Sequence, residues 1–108
     1  MAVEMKAVIE GKTYNTETSK LIGHYWNGLG GGDFGALSES LWKTRKGAYY
    51  TAGEGGAMTG YSRSCGDNSW TGGSAIHPIS AGEALNWAER HLEPEETEAE
   101  FAELLEEA

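Results

Sequence analysis

Glu39-Ser40-Leu41-Trp42-Lys43-Thr44 and Ala48-Tyr49-Tyr50-Thr51-Ala52, joined by Arg45-Lys46-Gly47, read as a β-hairpin. Both arms are built from aromatic, aliphatic and hydroxyl residues that suit a pleated surface, and Gly47 is the residue able to supply the positive φ of a tight turn. Period-two alternation sends Tyr49 and Tyr50 to opposite faces of the sheet. Gly53-Glu54-Gly55-Gly56 closes the second arm.

On the N-terminal side, residues 21–27 (LIGHYWN) are apolar and aromatic enough for another strand. Residues 3–10 read as a strand that turns at Glu10-Gly11-Lys12 into Thr13-Tyr14-Asn15-Thr16. Residues 28–35 hold five glycines and read as a loop, with Leu29 and Phe34 expected to pin it. On the C-terminal side, residues 58–73 carry small polar residues around Tyr61, Cys65 and Trp70 and read as an irregular packed loop. Ala75-Ile76-His77-Pro78-Ile79 reads as an edge strand, because Pro78 has no ladder donor.

The period then changes. Ser80-Ala81-Gly82-Glu83 is a capping box, followed by Ala84, Leu85, Ala88 and Leu92 at helical spacing with Trp87 beside them. Pro94 ends that helix near Leu92 and is suited to open a second one. The expected architecture is α+β: a twisted antiparallel sheet of four to five strands, one packed helix, and an acidic C-terminal helix. Residues 1–92 form the α+β domain in this reading, and residues 93–108 the acidic helix packed on it.

The chain has 108 residues, enough for one core of modest size, and no apolar run long enough to span a bilayer. Residues 1–10 carry acids and no basic leader, so no secretory signal is expected. A single cysteine, Cys65, excludes an internal disulfide and fits a reducing cytoplasm. Cys65, His24, His77 and His91 lack the spacing of metal ligands. No metal or cofactor is therefore expected.

The net charge of −9 is concentrated. Residues 89–108 hold nine glutamates against one arginine, whereas the first 88 residues are almost neutral. In a continuous helix, Glu96, Glu100, Glu103 and Glu107 form one row, and Glu95, Glu98 and Glu106 widen it. Like charges at these spacings oppose helix formation by a few tenths of a kcal/mol per pair, a cost that interspersed lysines would have avoided. A rod of carboxylates resembles a phosphate backbone and suits the basic groove of a nucleic-acid-binding protein. The bland alternative is a solvated tail, but Phe101, Leu104 and Leu105 are expected to hold the segment to the body or to dimerise it.

A second candidate surface is aromatic. Trp42 and Tyr49, with Arg45 at the exposed turn between them, are secondary partner-binding candidates on the sheet, beside the glycine-rich loops. In a domain of this size most such rings fill the core. A thiol site built from Cys65, Asp67 and His77, with Arg63 nearby, has no nucleophile motif behind it. Residues 28–35 lack the Gly-Lys-Ser/Thr ending of a phosphate loop. No catalytic residue is assigned.

The segments Leu41-Trp42-Lys43-Thr44-Arg45-Lys46-Gly47-Ala48-Tyr49-Tyr50, Gly53-Glu54-Gly55-Gly56-Ala57, and Ile79-Ser80 leading to Glu83-Ala84-Leu85-Asn86-Trp87-Ala88-Glu89 resemble small acidic proteins of phages and mobile elements, of the anti-CRISPR type. The resemblance covers about half of the chain and marks turns and a helix cap, so it transfers no site residues. It implies a monomeric or homodimeric inhibitor whose partner is a protein, a basic nucleic-acid-binding complex such as a CRISPR-Cas effector. The chain itself would contact neither nucleic acid nor membrane.

Overall fold

The hairpin at residues 39–52 is the centre of a four-stranded antiparallel sheet. The computed structural model describes residues 5–29, 33–59, 61, 63–66 and 69–107. In chain order its elements are β1 (Lys6–Ile9), β2 (Lys12–Asn15), β3 (Lys20–Trp26), β4 (Leu37–Lys43), β5 (Tyr49–Gly55), β6 (Arg63–Gly66), β7 (Ser69–Thr71), β8 (Gly73–Ile79), α1 (Ala81–His91) and α2 (Pro94–Phe101). The main sheet has the order β3-β4-β5-β8, while β1-β2 and β6-β7 are separate two-stranded ribbons. The α+β class expected from the sequence is the observed one.

Trp42 lies opposite Tyr50, and Gly47 takes φ 90°, so the central turn is the one its glycine allows. β8 lies at the sheet edge with Pro78 opposite Tyr50. The strand expected over residues 3–10 is β1, its first two residues lying outside the described ones.

Alternation divides the sheet into two faces, and both are covered. On one, Leu41 and Tyr49 meet Ala84, Trp87 and Ala88 of α1 and Phe101 of α2. Ala84 and Ala88 are fully buried, and their small side chains let the helix approach the sheet closely. Gly23 serves the same fit on β3, where an added Cβ would stand 2.3 Å from Leu92 Cδ2. On the opposite face, Trp42, Tyr50, Ala52 and Ile76 pack under Tyr14, Ala7 and Ile9 of the β1-β2 ribbon.

α1 begins as the capping box required: Ser80 Oγ accepts from Glu83 N at 3.1 Å, and Ser80 N donates to Glu83 Oε1 at 3.0 Å. Arg90 and His91 occupy its last turn, where the Arg90 charge meets the negative end of the helix dipole.

Two expectations are corrected. Residues 58–73 were expected to be irregular, yet they contain the β6-β7 ribbon, whose small polar residues carry no apolar alternation to announce it. The acidic helix does not run from 93 to 108. α2 ends at Phe101 and gives way to a short 3-10 turn, Ala102–Leu104. Phe101 is 2% exposed and is the last apolar anchor, whereas Leu104 is 51% exposed. Beyond Phe101 no cation among the described residues offsets the repulsion between glutamates, and none sits in the last turn of α2.

Candidate functional site

The shortened helix changes the meaning of the acidic segment. A row of Glu96, Glu100, Glu103 and Glu107 requires helix throughout, and the structure provides it only for the first two. Glu100 is turned inward. Its side chain is 8% exposed, with Lys43 Nζ at 3.0 Å, Lys20 Nζ at 3.3 Å and the Tyr49 hydroxyl donating at 2.7 Å. Burial alone would push the Glu100 carboxyl up, but the hydrogen bonds from Tyr49, Lys43 and Lys20 together hold it below the usual carboxylate range. The same contact raises the Lys43 ammonium, chiefly through its hydrogen bond to Glu100. It also raises the Tyr49 phenol, through burial first and the carboxylate second.

Thr97 and Phe101 are the other inward residues of α2. Tyr49 and Phe101 stack with ring centroids 5.4 Å apart. Glu93, Glu95, Glu96 and Glu98 remain exposed around this anchor, and so do Glu103, Glu106 and Glu107 past the helix end. Glu96 accepts a long hydrogen bond, 3.4 Å, from Glu93 N. Among the described residues no cation pairs with any of these seven. They therefore project from a segment fixed at Thr97, Glu100 and Phe101.

Trp42 and Tyr49 are core residues, one on each face of the sheet. Of the three secondary candidates only Arg45 is exposed. The contiguous apolar pairs Leu41-Trp42 and Tyr49-Tyr50 were the signal for this, since a strand buried on both faces has no polar alternation.

A polar cluster joins the sheet to α1. Glu39 accepts from Trp87 Nε1 at 2.5 Å and from the Tyr61 hydroxyl, and Tyr61 is also 3.4 Å from Thr51 Oγ1. Burial above all, and then the Glu39 carboxylate, push the Tyr61 phenol far up. His77 stacks on Tyr61 at 4.8 Å, and His91 stacks on Tyr25 at 3.9 Å. Burial and the neighbouring Arg90 hold the His91 imidazole low, against Glu39. Of the thiol reading, Asp67 and the Cys65 side chain lie outside the described residues. Among the described residues no group of three His, Cys, Asp or Glu side chains is placed to hold a metal ion, and no helix is long and apolar enough to cross a membrane.

Sequence reasoning missed a groove of about 640 Å³ at the far end of the sheet. Trp26, Ser38, Glu54 and Ser74 form a cross-strand row there, on the face that the β1-β2 ribbon covers only farther along. Leu29, Asp33 and Phe34 add the rim. Leu29 and Phe34 were expected to pin the loop, yet Phe34 is 67% exposed. Asn27 holds it instead, donating to Gly35 O at 2.7 Å and accepting from Leu37 N at 3.1 Å. Asp33 Oδ1 also accepts from Gly35 N at 2.8 Å. Aromatic residues flanking a glycine-rich loop were the available sequence signal.

No family model matches this chain, and no curated protein or solved structure matches it either.

Proposed function

We propose that the chain is a non-catalytic inhibitor, carried by a phage or mobile element, that acts on a bacterial nucleic-acid-handling defence complex of the CRISPR type. Its C-terminal glutamates bind the basic groove of that complex and keep DNA out. The observation that carries this reading is the inward lock of Glu100 on Lys20, Lys43 and Tyr49. A tail that served only solubility would have no use for such an anchor. With it, α2 is held against the sheet, and Glu95, Glu96 and Glu98 leave a fixed helix at a rise of about 1.5 Å per residue. Carboxylates so held need little ordering on binding, which favours fast, salt-sensitive association with a basic surface.

The test is phage plaquing on a CRISPR-immune host that expresses either the chain or its Glu95→Gln, Glu96→Gln, Glu98→Gln, Glu103→Gln variant. Glutamine keeps the Glu96 capping acceptor, and none of the four residues is buried, so the variant folds. The expected result is restored plaquing with the original chain and not with the variant. Plaquing that stays suppressed across hosts of different CRISPR types rejects the inhibitor reading. Equal rescue by both chains rejects the acidic surface as its means. Truncation at Leu92 is a poorer test, because it strips Phe101 from the core.

A further inference from the structure

The groove at the open end of the sheet stands apart from the C-terminal segment and does not depend on what the glutamates there bind. Its walls are rigidly built. An added Cβ on Gly56 would lie 2.4 Å from Phe34 O, so loop and strand meet backbone to backbone there, and one on Gly55 would lie 2.2 Å from the Thr59 side-chain hydroxyl. Gly56 N donates to Ala36 O at 2.8 Å, and Met58 N donates to Phe34 O at 2.8 Å, closing that wall. On the other side Trp26 Nε1 donates to Leu29 O at 2.9 Å. Trp26 is 59% exposed, yet this bond fixes its indole plane. An exposed aromatic ring with a fixed plane is a preformed contact surface, since little rotamer freedom is lost when a ligand covers it.

The charge in the groove has one sign. Asp33 and Glu54 are the ionisable groups among its described lining residues, and no lysine, arginine or histidine joins them. Asp33 is engaged by Gly35 N, whereas Glu54 is exposed and has no partner among the described residues. Two carboxylates repel a phosphate and attract a cation. Trp26 and Phe34 line the same groove, and aromatic faces attract cations as well. The cation whose planar shape uses both features is a guanidinium: it stacks on a ring and donates two parallel hydrogen bonds to a carboxylate. An ammonium uses only the charge. The volume exceeds that of one side chain and accommodates a short stretch of backbone around it.

We infer that this groove is a binding site for an arginine side chain carried by a partner polypeptide, with Glu54 pairing the guanidinium and Trp26 and Phe34 flanking it. The site is separate from the exposed glutamates of α2 and gives the chain a second, sequence-reading contact.

The experiment is a nuclear magnetic resonance titration of the full chain, labelled with nitrogen-15, with the capped peptide acetyl-Gly-Arg-Gly-amide. A matched peptide carries citrulline, which keeps the shape and loses the charge. The Trp26 indole N–H signal is assigned through Trp26→Phe. It is expected to shift with the arginine peptide and not with the citrulline one. Glu54→Gln, at an exposed position without a partner among the described residues, folds normally and should weaken binding at least about fivefold, the loss expected for one charge-assisted hydrogen bond. The Glu95→Gln, Glu96→Gln, Glu98→Gln, Glu103→Gln variant should titrate as the original chain does, which separates this site from general attraction to an acidic protein. An equal response to citrulline overturns the inference. So does a Trp26 signal that stays unmoved up to about 10 mM peptide, beyond the millimolar range where weak single contacts are still seen. A Glu54→Gln variant that binds as tightly as the original chain also overturns it.

Discussion

Lys43 and Glu100, 57 positions apart in the chain, meet at 3.0 Å and join the central hairpin to the last helix. The contact explains why a segment of eight residues, rich in glutamate, is helical at all. A helix that short is marginal by itself, and like charges weaken it further. Tertiary contacts supply what propensity lacks: Phe101 in the core, Thr97 bonded to Ala88 O at 3.4 Å, and a carboxylate with three donors.

Acid should therefore loosen the fold at this contact. The folded-state pKa of Glu100 is lowered, so its contribution is present above the unfolded value of about 4.3 and is lost as pH falls through the lowered folded value. Glu100→Gln should cost about 1–2 kcal/mol at neutral pH. It keeps an acceptor but loses the charge, and Lys20, with 72% of its side chain exposed, contributes little. Urea unfolding from neutral pH to about pH 3, across the carboxylate range, should show the two proteins converging in stability as pH falls. Parallel curves would rule out Glu100 as the responsible group.

At the alkaline end the group to follow is Tyr61. Its folded-state pKa is raised above the unfolded value, so its contribution is complete below about pH 10 and declines as pH rises toward the folded value. Tyr61→Phe should flatten the loss of stability above that pH. Some slope should remain, because the Tyr49 and Tyr50 phenols are raised too. At neutral pH the variant leaves Glu39 with Trp87 as its one side-chain partner among the described residues and should cost about 1.5–3 kcal/mol, the range for a hydrogen bond to a charged group. Thermal melts between neutral and alkaline pH would check both statements.

Ser80→Ala removes the acceptor for Glu83 N and should lower stability by about 1 kcal/mol. Ser80→Asp keeps the acceptor and adds a favourable charge at the helix start, so it should restore the loss. Chemical denaturation of the two variants side by side would detect a failure of either.

The hairpin, the capping box and the edge strand with Pro78 were legible in the sequence, because each rests on a local rule: alternation, a turn glycine, a cap, a missing donor. The inward turn of Glu100 was not. A glutamate facing solvent and one facing Lys43 look alike in a helical pattern, and only chain folding brings the two together. Trp42 and Tyr49 read as surface candidates for the converse reason. Their burial depends on covers that lie elsewhere, the β1-β2 ribbon on one face and the helices on the other. The groove was not legible because Trp26 and Glu54 are 28 positions apart and come into one cross-strand row, on either side of Ser38, only through the registers of β3, β4 and β5.

Two glycines, Gly56 in that groove and Gly23 beneath Leu92, form a contrasting pair. At Gly56 an added methyl would meet backbone: Phe34 O at 2.4 Å and Asp33 O at 2.6 Å. Neither can move without breaking the bonds from Met58 N and Ala36 N that hold the loop. At Gly23 the obstacle is the end of the Leu92 side chain, which can rotate away. Gly56→Ala should thus cost about 2–3 kcal/mol, the upper range for overpacking. Gly23→Ala should cost less, and part of even that is returned by the reduced freedom of the unfolded chain. If urea midpoints place Gly56→Ala at or above Gly23→Ala, the loop does not press on β5 as described. The groove would then lose its rigid wall.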